Sequence, residues 1–64
     1  MTTATLLTRT GTAKPIRLHD PVWDTLEGRR VRFSRLIGAS AVEVCGDDGE
    51  PLPDWRHPSQ LYAY

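Results

Sequence analysis

The feature that most restricts this chain is the run from Ala41 to Pro53, where apolar and polar residues alternate into a tight turn and out again. Val42 and Val44 fall on one side and Glu43 on the other, the period-two pattern of a strand with one buried face. Asp48-Gly49 then supplies the positive backbone angles of a two-residue hairpin turn. Counted outward from that turn, Cys45 faces Leu52, Val44 faces Pro53 and Val42 faces Trp55. Pro51 and Pro53 then occupy pairs whose backbone N–H points away from the partner, which requires that no further strand lie on that side. Glu50 to Pro53 is therefore expected as an edge strand, shielded by its prolines from unwanted pairing.

A second alternation starts at Arg29, with Val31 and Phe33 on one side and Arg30, Arg32 and Ser34 on the other. It predicts a strand with a basic outer face. Leu36 and Ile37 are consecutive apolar residues, so Arg35 should mark a bulge before Gly38. Pro15 to Leu18 reads as a short half-buried strand, with Ile16 and Leu18 on one face. Asp20-Pro21 is a helix-start signal, because Asp20 can cap free N–H groups and Pro21 loses no bond in the first turn. Val22, Trp23 and Leu26 would share one face of that helix, Trp23 would enter the core, and Gly28 would end the helix. Trp55 to Pro58 is a connector, and Gln60 to Tyr64 is a final strand with Tyr62 and Tyr64 on one face.

These elements predict an α+β, mainly β fold. One short helix and four or five short strands would form a small SH3-like barrel or an open antiparallel sheet. Residues 1–14 are threonine-rich and show no period that would bury a face, so they are expected as an extended N-terminal arm, frayed or ordered as a strand by a partner. Residues 15–64 would be the single β-rich domain.

A chain of 64 residues buries only about 60% of its unfolded surface. Its large apolar side chains are few, and thin cores of this size are usually supplemented by disulfides, a metal or oligomerisation. Cys45 is the only cysteine, which excludes an internal disulfide and leaves a protein partner or self-association as the expected supplement. A lone cysteine fits a reducing cytoplasm. The threonine-rich start lacks the apolar run of a signal peptide, and no segment has the length to span a bilayer, so the expectation is a soluble, cytoplasmic protein without membrane contact. Eight basic and eight acidic residues cancel, so bulk charge does not point to nucleic acid. Brevity alone is what suggests a viral or plasmid-borne accessory protein.

The candidate chemistry is sparse. His19, Cys45, His57 and Asp20 follow no metal-ligand spacing, so neither a metal nor another cofactor is expected. Cys45 lies in a predicted strand with no adjacent base, and Asp47, Asp48, Glu50 and Asp54 surround a solvated hairpin tip where acid–base chemistry has no dry pocket. The reading is non-enzymatic. Trp55, Tyr62 and Tyr64 are the candidate partner contacts, since aromatic residues with a polar handle concentrate at binding hot spots. Arg29, Arg30, Arg32 and Arg35 are candidates for phosphate or acidic-partner contacts, although no exposed aromatic ladder is visible beside them.

Three resemblances bear on this. Gly28-Arg29-Arg30-Val31-Arg32 and His57-Pro58-Ser59-Gln60-Leu61-Tyr62 resemble the first strand and last connector of SH3-like barrels. Ile16 through Leu26, followed by Phe33-Ser34-Arg35-Leu36-Ile37, resembles ribbon-helix-helix DNA-binding proteins. Val22, Trp23, Leu26, Phe33, Leu36 and Ile37 would then share one helical apolar sector, which implies a DNA-binding dimer; but the first helix is about one turn short, and the second would collide with the hairpin. Gly28, Arg30 to Arg32, His57, Pro58 and Gln60 to Tyr62 are similar to the plasmid-encoded type II dihydrofolate reductases, which implies a tetramer acting on dihydrofolate. That family's strand after the tyrosine has no counterpart in these residues, and no lysine lies near the relevant positions. The expected functions are, in order, a protein-interaction or assembly module, a nucleic-acid binder using Arg29 to Arg35, and a small reductase-like enzyme.

Overall fold

The structure, a computed structural model, describes residues 3–64. The fold is mainly β and antiparallel, as the alternating runs predict. Two sheets form: a two-stranded one from β1 (Thr3–Leu7) and β2 (Ala13–Arg17), and a four-stranded one in the order β5-β4-β3-β6. The latter comprises β3 (Pro21–Asp24), β4 (Arg29–Leu36), β5 (Val42–Cys45) and β6 (Leu61–Ala63). A single parallel bridge between Thr8 and Ala63 joins the sheets. The barrel does not close, so the open-sheet alternative is the one that forms.

The expected N-terminal arm is instead a hairpin. β1 pairs with β2 from Thr3↔Arg17 to Leu7↔Ala13, across the supposed boundary at residue 14. Ala4, Leu6 and Ile16 join the same core as Val22, Val31, Phe33, Val42, Val44, Leu61 and Ala63. Residues 3–14 are thus ordered by their own chain, while Met1 and Thr2 lie outside the described residues. The Thr8–Thr12 turn is closed by bonds from Gly11 N–H to Thr8 O (2.9 Å) and Thr8 N–H to Thr12 O (2.8 Å). Gly11, at φ 92°, takes the left-handed position that such a three-residue loop requires.

The other hairpin uses the same solution. Gly46 N–H bonds Glu50 O, Gly49 N–H bonds Gly46 O, and Gly49 sits at φ 84°. The loop therefore has three residues, not the expected two, and the register moves by one, so that Cys45 faces Pro51. Pro51 still occupies a pair without main-chain bonds, since Leu52 N–H bonds Val44 O on one side and Gly46 N–H bonds Glu50 O on the other. Val42 pairs with Arg56, not Trp55, because Pro53, Asp54 and Trp55 bulge out opposite Glu43.

The predicted helix at Pro21–Gly28 is strand β3 followed by a turn. Val22 and Asp24 point inward while Trp23 points outward, an alternation disguised by a carboxylate on the buried face and an indole on the outer one. Asp20 closes the preceding turn by accepting from Arg17 N–H (2.9 Å) rather than capping a helix. Gly28 is left-handed as expected, at φ 67°, but it ends the β3–β4 turn. Trp23 accordingly lies outside the core. The helical element among the described residues is a 3-10 turn, Pro58–Gln60.

β4 matches its prediction: Val31 and Phe33 are fully buried, and its register with β5 shifts between Phe33 and Arg35. Residues 29–37 are therefore not a helix, and with β3 also a strand the ribbon-helix-helix arrangement is absent. Leu18, expected beside Ile16 in the core, is exposed in the turn.

Candidate functional site

The outer face of the four-stranded sheet is built by register. Trp23 of β3 stands directly between Arg30 of β4 and Tyr62 of β6, and directly opposed residues share a face with Cβ atoms about 5 Å apart. One row across three strands is thus guanidinium, indole, phenol. Arg32 lies two residues along β4, opposite Cys45 and Pro21. The Thr8–Thr12 turn adds Arg9, whose guanidinium lies 4.9 Å from the Trp23 ring centroid. Such a contact at an exposed site is worth about 0.5–1 kcal/mol. Arg9, Thr10, Trp23, Ala63 and Tyr64 line a shallow recess of about 500 Å³, and Lys14 donates to the Tyr64 main-chain oxygen beside it.

The four arginines singled out from the sequence each have an acidic neighbour. Arg29 bonds Glu27 at 2.9 Å, Arg35 approaches Glu43 at 3.4 Å, and Arg30 and Arg32 share Asp47 at 3.6 and 3.5 Å. The pairs at Arg29, Arg30 and Arg32 are exposed on both partners, and exposed ion pairs contribute about 0–1 kcal/mol. Arg32 Nη1 also donates to the His19 carbonyl at 2.9 Å, so Arg30 and the remaining donors of Arg32 are the groups available to an external anion. Arg29 and Arg35 lie at the ends of β4, away from the Trp23 row.

The strongest electrostatic feature is one that the sequence reading missed. Asp24 is fully buried, and Arg56, 1% exposed, reaches it beneath the sheet. Arg56 Nε donates to both Asp24 oxygens at 3.1 Å, and Nη2 lies 3.0 Å from Asp24 and 3.0 Å from Glu27. Asp24 also accepts from Leu26 N–H at 3.0 Å. The hydrogen bond to Asp24 raises the Arg56 pKa above its ordinary value, with burial opposing and the neighbouring carboxylates assisting. Arg56 Nη1 spends its remaining donors on the Pro53 and Asp54 carbonyls. The guanidinium thus pins the bulged loop, in which Asp54 is left-handed at φ 59° and Trp55 is 58% exposed.

Of the candidate aromatics, Tyr62 and Tyr64 stand near Trp23 and Arg9, whereas Trp55 does not join them. It flanks β5, four strand positions from β6. The residues shared with the reductases have a local use: His57 Nδ1 accepts from Ser59 N–H at 3.1 Å, and Gln60 Oε1 accepts from His57 N–H at 2.8 Å. This reciprocal cap orders the 3-10 turn and delivers Leu61 to the core. Cys45 is a buried strand residue, and His19 is a left-handed turn residue, φ 70°. Among the described residues, no three His, Cys, Asp or Glu side chains converge as metal ligands, and no helix is long and apolar enough to cross a membrane.

The signal that locates the missed residues lies in the first seventeen positions. The alternation of Ala4 and Leu6 with Thr3 and Thr5, the turn at Gly11 and the lone apolar Ile16 beyond it are what mark the hairpin, and that hairpin carries Arg9 to Trp23. Comparison with protein families, curated proteins and solved structures gives no match for this chain.

Proposed function

We propose that this chain is a non-enzymatic interaction module, an accessory part that docks on a macromolecular partner through the outer face of its four-stranded sheet. The observation that carries this reading is the row Arg30–Trp23–Tyr62 with Arg9 on the indole. Aromatic rings and arginines are the side chains enriched at binding hot spots, and here they stand together on a rigid sheet. The test places a benzophenone-bearing phenylalanine at position 64, where Tyr64 is 53% exposed, and illuminates cells making the protein. The expected result is a discrete adduct of higher mass, lost when Arg9→Glu and Arg30→Glu are added. Recovery of uncrosslinked chain alone, or adducts indifferent to those changes, contradicts the reading.

A protein partner has its own supporting observation, the Trp55 loop. Positive φ at Asp54 costs the backbone energy that the surroundings must over-determine, and Arg56 does so from the core while leaving Trp55 in solvent. A side chain so presented is suited to fill an apolar pocket on another protein. Trp55→Ala is expected to leave the fold intact and weaken that contact. Unchanged crosslinking at a photoreactive group placed at position 54, with and without Trp55, would remove this second surface.

A further inference from the structure

We infer that the outer sheet face binds single-stranded nucleic acid, with bases stacked on Trp23 and Tyr62 and phosphates held by Arg9, Arg30 and Arg32. The inference rests on that face being the docking surface, and it names the partner class. Trp23 and Tyr62 are cross-strand neighbours on one face, so two rings stand side by side as adjacent stacking positions, the arrangement that sequence-tolerant single-strand binders use. Both rings are half-buried, which fixes them before a base arrives. A cation already lies over the indole, with Arg9 4.9 Å from its centroid. An arriving base takes that position, and Arg9, on an exposed turn, moves to the adjoining phosphate.

Charge on this face differs from that of the whole chain. The eight acidic and eight basic residues cancel overall, but Asp24 and Glu27 are engaged with Arg56 and Arg29 off this face, and Glu43, farther along the outer face, with Arg35 and Ser34. Three guanidiniums, those of Arg9, Arg30 and Arg32, stand around the Trp23 row; the carboxylates beside them are Asp47, bridging Arg30 and Arg32, and Asp48, which lines the same recess as Arg32. An acidic protein segment could satisfy the charges but carries a flat ring only at its occasional aromatic residues, whereas every nucleotide pairs one ring with one negative charge. A duplex offers phosphates but hides its base faces. Unpaired strands supply both, and because neither stacking nor phosphate contact involves the 2′-hydroxyl, the sugar should not matter.

The test is fluorescence anisotropy with a labelled oligothymidylate about ten nucleotides long, within the range one small module covers. The arms are an oligouridylate of the same length, the corresponding duplex and a polyglutamate peptide. Both single strands are expected to bind at roughly micromolar concentration in low salt, with a log–log salt slope near −2 for three phosphate contacts. Duplex and polyglutamate should bind at least tenfold more weakly. Arg30→Glu should weaken single-strand binding about tenfold and flatten the slope, while Tyr62→Leu should weaken it about tenfold and leave the slope unchanged, the mark of lost stacking. Should Tyr62→Leu fail to fold, Asp47→Asn decides: freeing Arg30 and Arg32 should tighten binding several-fold. No binding to single strands, equal binding of the duplex or polyglutamate, or no effect of Asp47→Asn overturns the inference. If oligonucleotides fail while position 64 still crosslinks to a protein, the docking face stands without this partner; if crosslinking fails as well, both fall.

Discussion

Removing the carboxylate of Asp24 should strongly destabilise this protein, and the arrangement around Arg56 says by how much. In Asp24→Ala the guanidinium stays in the core, 1% exposed, having lost its acceptor on Nε. Breaking a buried pair on one side costs about 3–5 kcal/mol. Glu27 remains 3.0 Å from Nη2, so the loss should fall near 3 kcal/mol. Arg56→Ala should cost more, about 4–5 kcal/mol, because it strands a fully buried carboxylate, frees the Pro53 and Asp54 carbonyls and opens a cavity. Glu27→Ala, at a 38% exposed side chain, should cost at most about 1 kcal/mol. A domain of 64 residues has about 3–10 kcal/mol of stability in total, so the first two variants would lose about a third of it or more. In Asp24→Leu with Arg56→Met, both charges are gone and most of the loss should be recovered, though the Trp55 loop would be released. Urea unfolding followed by circular dichroism measures all four. A loss below about 1 kcal/mol for Asp24→Ala, or an equal loss for Glu27→Ala, would refute the buried pair as the organising contact of that end of the core.

Other outcomes follow from the same packing. Phe33→Ala should cost about 3–5 kcal/mol, since Phe33 is fully buried between the sheets; a denaturation midpoint near wild type would mean that the site collapses around the gap. Gly11→Ala meets no atom within 4 Å, so its cost, about 1 kcal/mol or slightly more, is conformational alone, and Gly11→Asn should recover part of it. Trp55→Ala should change stability by no more than about 0.5 kcal/mol, read by thermal unfolding. Arg9→Ala should alter the Trp23 fluorescence while leaving the circular dichroism unchanged, because the cation over the ring is lost and the sheet is not.

How much of this could be read in advance depends on where each element's stabilising partner lies. β4 and β5 were legible because Val31, Phe33, Val42 and Val44 alternate cleanly with polar residues. β3 was not, because its inward position at 24 is an aspartate whose partner, Arg56, is 32 residues away. Such a carboxylate looks solvent-facing until the partner is known, and Asp20-Pro21 then imitates a helix start. β1 was hidden by its small core residue, Ala4, and by threonines that read as a polar arm. The hairpin at Gly46–Glu50 was placed correctly but miscounted by one residue, since Asp48-Gly49 suits both a two-residue turn and the end of a three-residue one. That single residue alone would set Asp54 opposite Val42; the bulge at Pro53–Trp55, which no local signal marks, adds two more residues, moves Trp55 out of the ladder and puts Arg56 in its place. The candidate site was legible only in its parts: Arg30, Arg32, Tyr62 and Tyr64 were named, but their meeting with Trp23 and Arg9 depends on the strand order β5-β4-β3-β6 and on a hairpin that the composition concealed.

The contact surface itself is best tested by following the backbone amide resonances of the isotopically labelled protein during titration with oligothymidylate. The account predicts shifts at Arg9 to Gly11, Trp23, Arg30, Arg32, Tyr62 and Tyr64, with the Pro53–Trp55 loop undisturbed. Shifts centred on that loop, or saturation of none, would contradict it.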